Sequence, residues 1–212
     1  MKKFAMMLMA LTMMVTSASA QELSKQQEKA VKKEVSKKLK DLKKGGYEIF
    51  GSSRTLEVAL TKHYTALEKD GDNVIEVVGF STAKSANLAA AAAQNSAANR
   101  YATQASQQVK GRVLSDMASD VSNAETEFDK FYATYEGKVQ QEIRGALKPS
   151  FSVKKTDPDG RISVQAFYLV YENAASRARI KALEASMKES EAAQKYAQKV
   201  SDFVNERVTP TE

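Results

Sequence analysis

The stretch FSVKKTDPDGRISVQAFYLVYE (residues 151–172) decides the fold. Asp157-Pro158-Asp159-Gly160 combines a residue that initiates turns, one with φ already fixed, and a glycine free to turn left-handed. The flanking arms, Phe151–Lys155 and Ile162–Glu172, are rich in β-branched and aromatic residues, so the segment predicts an antiparallel hairpin. Its second arm is continuously apolar from Ala166 to Tyr171, which places it inside a sheet with both faces covered. Asn73–Phe80 is the other strong strand: Val74, Ile75, Val77, Val78 and Phe80 put bulk on both faces, as a central strand requires.

Helical patterns surround these strands. Val31, Val35, Leu39 and Leu42 form one face of a helix over residues 22–44, ended by Gly45-Gly46. Tyr47–Gly51 is a short apolar passage, and Thr55–Lys69 reads as a second helix closed by the turn Asp70-Gly71-Asp72. A long alanine-rich helix is expected over Thr82–Lys110, with Ala83, Ala86, Ala90, Ala93 and Ala97 as its seam and Ser81 as its N-cap. A seam of methyl groups lets another backbone approach closely. Gly111 is expected to break that helix before a short strand at Arg112–Ser115. Glu127–Ala146 carries Phe128, Phe131, Tyr132, Tyr135, Val139 and Ile143 on one face. One last helix, Ser176–Arg207, is expected to run about 45 Å, with Ile180, Leu183, Met187, Ala193, Ala197, Val200 and Val204 as its stripe and Arg177, Arg179 and Lys181 outside it. The fold class is α+β: a small, mostly antiparallel sheet packed by long helices, with helical N- and C-terminal extensions. Four segments follow: residues 1–20, the lysine-rich helix 21–45, an α/β domain 46–175, and the long terminal helix 176–212, packed on the domain or extending from it.

The first twenty residues have the features of a cleaved secretory signal. Lys2 and Lys3 precede an apolar run from Phe4 to Val15, and Ala18-Ser19-Ala20 offers small residues before Gln21. The run is too short to span a membrane, so the expected location is the periplasm. The formal charge of +6 falls to +4 once Lys2 and Lys3 leave with the signal, which is no nucleic-acid signature. The chain has no cysteine, which excludes disulfides, thiolate metal sites, cysteine catalysis and a lipid-bearing cysteine after the signal.

Within Val74–Glu172, the strand with its glycine turn (Val77-Val78-Gly79-Phe80), the alanine-spaced helix containing Arg100, a further helix and a terminal hairpin resemble a known arrangement. It is similar to the small α/β domain in the amino-terminal module of flagellar assembly protein T, in small outer-membrane lipoproteins, and in uncharacterised secreted proteins of anaerobic gut bacteria. The resemblance covers about half of the mature chain. It implies an envelope protein of that fold and carries over no functional residue.

Few residues carry a pattern that points to chemistry. Ser81-Thr82-Ala83-Lys84 has the spacing of serine–lysine acyl enzymes of the cell wall, followed by Ser115-Asp116-Met117 and Lys155-Thr156-Asp157 in the order such enzymes use. The second lacks the asparagine and the third the glycine of that pattern, and a second serine–lysine pair, Ser152 and Lys155, shows how easily the spacing arises. His63 is the sole histidine and has no second histidine with which to share a metal. The acidic turns at Asp70/Asp72 and Asp157/Asp159 lack the spacing and terminal glutamate of a calcium loop. Phe128 to Tyr135 reads as core, with a small apolar ligand as the other use. No catalytic residue, cofactor or metal is expected.

The lysine-rich first helix is the candidate binding surface, with Lys25, Lys29, Lys32, Lys33, Lys37 and Lys40 as its basic face. It would attract anionic headgroups, lipopolysaccharide phosphates or acidic proteins. The expected role is a non-enzymatic envelope interaction protein, self-associating through its alanine-rich or terminal helices.

Overall fold

The computed structural model describes residues 23–117 and 124–208. The signal-like segment therefore lies outside the described residues. Four strands form one antiparallel sheet: β1 (Glu48–Phe50), β2 (Val74–Ala83), β3 (Lys148–Thr156) and β4 (Ile162–Tyr171), in the spatial order β1-β3-β4-β2. The α+β expectation holds, and every strand pair is antiparallel.

The hairpin forms as its turn chemistry dictates. Asp157 N–H donates to Arg161 O at 2.8 Å and Gly160 N–H donates to Asp157 O at 2.9 Å, leaving a three-residue loop in which Gly160 takes φ +80°. A register shift between Pro149 and Phe151 puts a bulge at the start of β3. β4 alternates cleanly: Val164, Ala166, Tyr168 and Val170 enter one core, while Phe167 enters the other and stacks on Phe151 at 4.3 Å.

Helices cover both faces. On one lie α1 (Lys25–Lys44) and α2 (Leu56–Asp70), whose Val31, Val35, Leu42, Leu56 and Leu60 pack with Phe151, Val153 and Phe167. On the other lies α3 (Ala86–Asp116), backed by α4 (Ala124–Ile143), α5 (Glu172–Ser186) and α7 (Ala197–Asn205), with the five-residue α6 (Glu191–Lys195) between the last two. The α3 seam is Ala89, Ala93, Ala97, Ala98, Ala102 and Ala105, all fully buried; of the expected seam, Ala83 instead ends β2 and Ala86 and Ala90 are only partly buried, because the helix starts at Ala86. It meets β2 at Gly79, where a β-carbon would lie 1.8 Å from Ala93 O and 2.9 Å from Ala97 N. The alanine seam does bring two backbones together, and Gly79 is what permits it.

Several expectations need correction. β2 is an edge strand: its two-sided apolar character reflects helices above and below, not strands on both sides. Its outer edge is partly closed by the helix that follows, since Ser96 Oγ accepts the Phe80 N–H at 3.3 Å and Arg100 Nη1 donates to Val78 O at 3.3 Å. Ser81 is not a cap. β2 continues to Ala83, which pairs with Ile162, and the N-cap of α3 is Ser85, whose hydroxyl accepts from Leu88 N–H. Gly111 does not end α3, and no strand forms at Arg112–Ser115. Val109, Val113 and Met117 are buried on either side of the glycine, and their packing outweighs its low helix propensity.

The terminal helix is not single, and of its two expected placements, packed on the domain or extending from it, the packed one is found. Ser186 Oγ donates back to Ala182 O at 2.6 Å, a tight turn follows over Met187–Glu189, and Ser190 adopts extended geometry and caps the next turn through Ala193 N–H. The pieces fold back on the domain, burying Val200, Phe203, Val204 and Val208. Arg179, expected outside the stripe, is 1% exposed. Its guanidinium donates to Val204 O (2.9 Å), Tyr101 Oη (2.7 Å) and Glu172 Oε1 (2.6 Å), which ties α5 to α3 and α7.

Two glycines offer a direct test of helix propensity. Gly111 and Gly137 sit in α3 and α4 with solvent-exposed backbone, and nothing lies within 4 Å of a β-carbon added to either. Gly111→Ala and Gly137→Ala should each raise stability by about 0.5–1 kcal/mol, read as a higher urea midpoint at unchanged slope.

Candidate functional site

α1 begins at a capping box. Ser24 Oγ accepts from Gln27 N–H, and Gln27 Oε1 accepts from Ser24 N–H at 2.9 Å. The helix then turns its narrow apolar stripe inward, as expected of a helix lying on the domain. Lys25, Lys29, Lys32, Lys33, Lys37 and Lys40 are all exposed, together with Lys43 and Lys44. At about 100° per residue these eight share one arc of about 140°, opposite the buried stripe. No carboxylate interrupts it. Glu28, Glu34 and Asp41 fall outside the arc, and Lys38 lies apart over the Phe167 ring at 5.1 Å. Among the described residues, none of the eight forms an ion pair.

The opposite flank of α1 faces Tyr64 on α2. Burial, reinforced by the carboxylates of Glu76, Glu34 and Asp41, pushes the Tyr64 phenol up to about 12 from its ordinary 10.0. The unfolded chain releases this proton near pH 10 while the folded chain holds it. The stabilisation is complete below pH 10 and is lost as pH rises through about 12. The urea midpoint should fall over this window, and fall less in Tyr64→Phe.

His63 is the second place where functional groups meet. It is 1% exposed, walled edge-on by Tyr64, Phe151 and Phe167 with centroids 5.3, 5.4 and 6.1 Å away. Its Nε2 lies 2.5 Å from Glu76 Oε2, and its Nδ1 lies 2.9 Å from Ser150 Oγ at the β3 bulge. Both ring nitrogens are thus partnered, Nε2 by the carboxylate and Nδ1 by the serine hydroxyl. Serine, histidine and glutamate in a row is the order of a nucleophile, its base and the acid that orients it. Yet the histidine side chain has no exposed surface, so no reacting group reaches the ring unless the aromatic wall moves. The sequence pointed to His63 alone. Ser150 and Glu76 carry no local signal, and Pro149-Ser150 at the bulge is the one mark that could have drawn attention to them.

The remaining candidates separate. Ser81 lies on β2 opposite Val164, and Lys84 lies in the exposed bend after the strand. Extended chain carries residues three apart to about 10 Å, so the one-turn proximity of a serine–lysine pair does not form. Ser115 closes on Asp116 and the Arg112 carbonyl at the end of α3. Phe128, Phe131, Tyr132 and Tyr135 pack on one another in the core, with Phe131 stacked on Tyr135 at 5.5 Å and Phe128 on Tyr132 at 6.0 Å. Among the described residues, no three His, Cys, Asp or Glu side chains converge as a metal site. No helix there is long and apolar enough to cross a membrane. Compared with known proteins, the chain matches no family model, no curated protein and no solved structure.

Proposed function

We propose that this is a non-enzymatic, envelope-associated interaction protein, exported to the periplasm, whose contact surface is the basic face of α1. The observation that carries this reading is the uninterrupted arc of eight exposed lysines on a helix fixed to the domain by its other face. A contact surface needs exposure and a fixed geometry, and this arc has both. The export assignment rests on the charge, apolar run and small residues of positions 1–20. The alanine-rich seams of α3 and α5 are occupied within the chain, so self-association has to use another surface. A photo-crosslinking residue placed at Lys33 or Lys37 should capture an envelope component in living cells, and one at Lys138 or Lys188 should not. Equal capture from both sets, or none from either, overturns the reading.

One observation favours a second reading, acyl transfer by Ser150. The Ser150–His63–Glu76 row would activate its hydroxyl if the aromatic wall opened. An acylating fluorophosphonate probe decides it: labelling at Ser150 that disappears in His63→Ala would establish the enzyme and remove the non-enzymatic assignment.

A further inference from the structure

We infer that the α1 arc lays the protein on an anionic phospholipid surface by charge alone, without insertion. The inference rests on the reading of α1 as the contact surface and names what the surface meets.

Four features favour lipid headgroups over an acidic protein. First, the arc is long and convex: twenty helical residues span about 30 Å, along which the eight lysines are spread. A convex ridge offers no pocket for a protein anchor, whereas a headgroup layer meets it along its whole length. Second, it holds neither tryptophan, tyrosine nor arginine, the residues that dominate protein–protein hot spots. Third, the cations are all lysine. Ammonium groups are strongly hydrated point charges that suit a diffuse layer of negative charge, while planar bidentate recognition selects arginine. Fourth, the apolar residues of α1 are already buried against α2 and the sheet, so no hydrophobic face remains to enter the bilayer. An interfacial helix of the inserting kind keeps that face free. What remains is a purely electrostatic contact, and its strength has to fall with salt as the Debye length shortens.

The test uses the chain from Gln21 and vesicles of phosphatidylcholine with roughly one-third phosphatidylglycerol, a content chosen to give a clearly negative surface. The protein should co-sediment with these vesicles at 0.1 M salt, leave them at 0.5 M, and ignore pure phosphatidylcholine. With about fivefold affinity per lysine near such a surface, the combined change Lys29→Gln, Lys33→Gln, Lys37→Gln and Lys40→Gln should weaken binding by roughly a hundredfold or more. The matching arginine variant should retain it. A charge-matched control, Lys84→Gln, Lys130→Gln, Lys138→Gln and Lys188→Gln, removes four exposed lysines from elsewhere and should bind almost as the parent does. Circular dichroism and urea midpoints establish that all three variants fold.

Failure to bind the anionic vesicles overturns the inference. So does an equal loss in the control variant, which would make net charge the cause. Binding that survives 0.5 M salt overturns the claim of no insertion, and tighter binding to soluble polyphosphate than to vesicles would assign the arc to a free polyanion. If vesicles are ignored while Lys33 and Lys37 crosslink one envelope protein in cells, the lipid inference fails and the interaction reading stands.

Discussion

Gly79→Ala should destabilise the protein by about 3 kcal/mol or more, a large share of a typical domain's 5–15 kcal/mol. The added methyl meets Ala93 O at 1.8 Å and Ala93 C at 2.8 Å, and both are main-chain atoms of α3. No side-chain rotation relieves such a collision. Either the helix withdraws from the sheet or the strand bends away from it. Withdrawal would open the tightest part of the core, where Ala93, Ala97 and the paired residue Ala166 are almost completely buried. The measurement is a urea titration read at equal slope, alongside Gly111→Ala as the opposite case. A Gly79→Ala protein within 1 kcal/mol of the parent would mean that α3 does not approach β2 this closely.

Arg179→Met should cost about 3–5 kcal/mol, because it strands three partners at once. Val204 O, the Tyr101 hydroxyl and the Glu172 carboxylate all lose their donor at a buried or half-buried site. Lysine does not substitute, since a single ammonium cannot reproduce three donors set in a plane. Tyr101→Phe alone should cost only about 1 kcal/mol. Combined with Arg179→Met, it should add less than that, as the two groups act as one network. Hydrogen exchange supplies the local readout: α7, held through Val204 O, should lose protection before the sheet does. Uniform loss across the molecule would show that the arginine supports the core as a whole.

What could be read from the sequence is what neighbours along the chain dictate. The Asp157–Gly160 turn and the α1 stripe with its lysines are local patterns that reappear in place, whereas of the expected alanine seam only Ala93 and Ala97 do. What could not be read depends on partners far along the chain. An apolar run such as Val74–Phe80 records covered faces and says nothing of covered edges, so it suggests a central strand although β2 lies at the border. The Ser150–His63–Glu76 row joins α2, β2 and the bulge of β3, and nothing near His63 announces it. Arg179 follows Ala178 on a face whose other members are Ala175 and Ala182, so its place in that alanine stripe was visible. The assumption that an arginine faces water hid it. Ser186 and Ser190 likewise marked the break in the terminal helix, but the apolar period continued across them.

The strand order also sets when the parts of the molecule come into being. β4 must enter between β3 and β2. Its pairing with β3 needs only the closure of a three-residue loop, whereas β2 ends at Ala83 and waits for a strand that begins at Ile162. The entropy of closing that long loop is lost before any contact with β2 repays it, so docking of the finished hairpin onto β2 is the expected slow step of folding. A β2–α3 unit formed before that docking would have α3 against one face and the hydrogen bonds from Ser96 and Arg100 along its outer edge, with its inner edge open. In such a unit the edge open to pairing with another copy of the chain would be the one that β4 covers in the finished sheet.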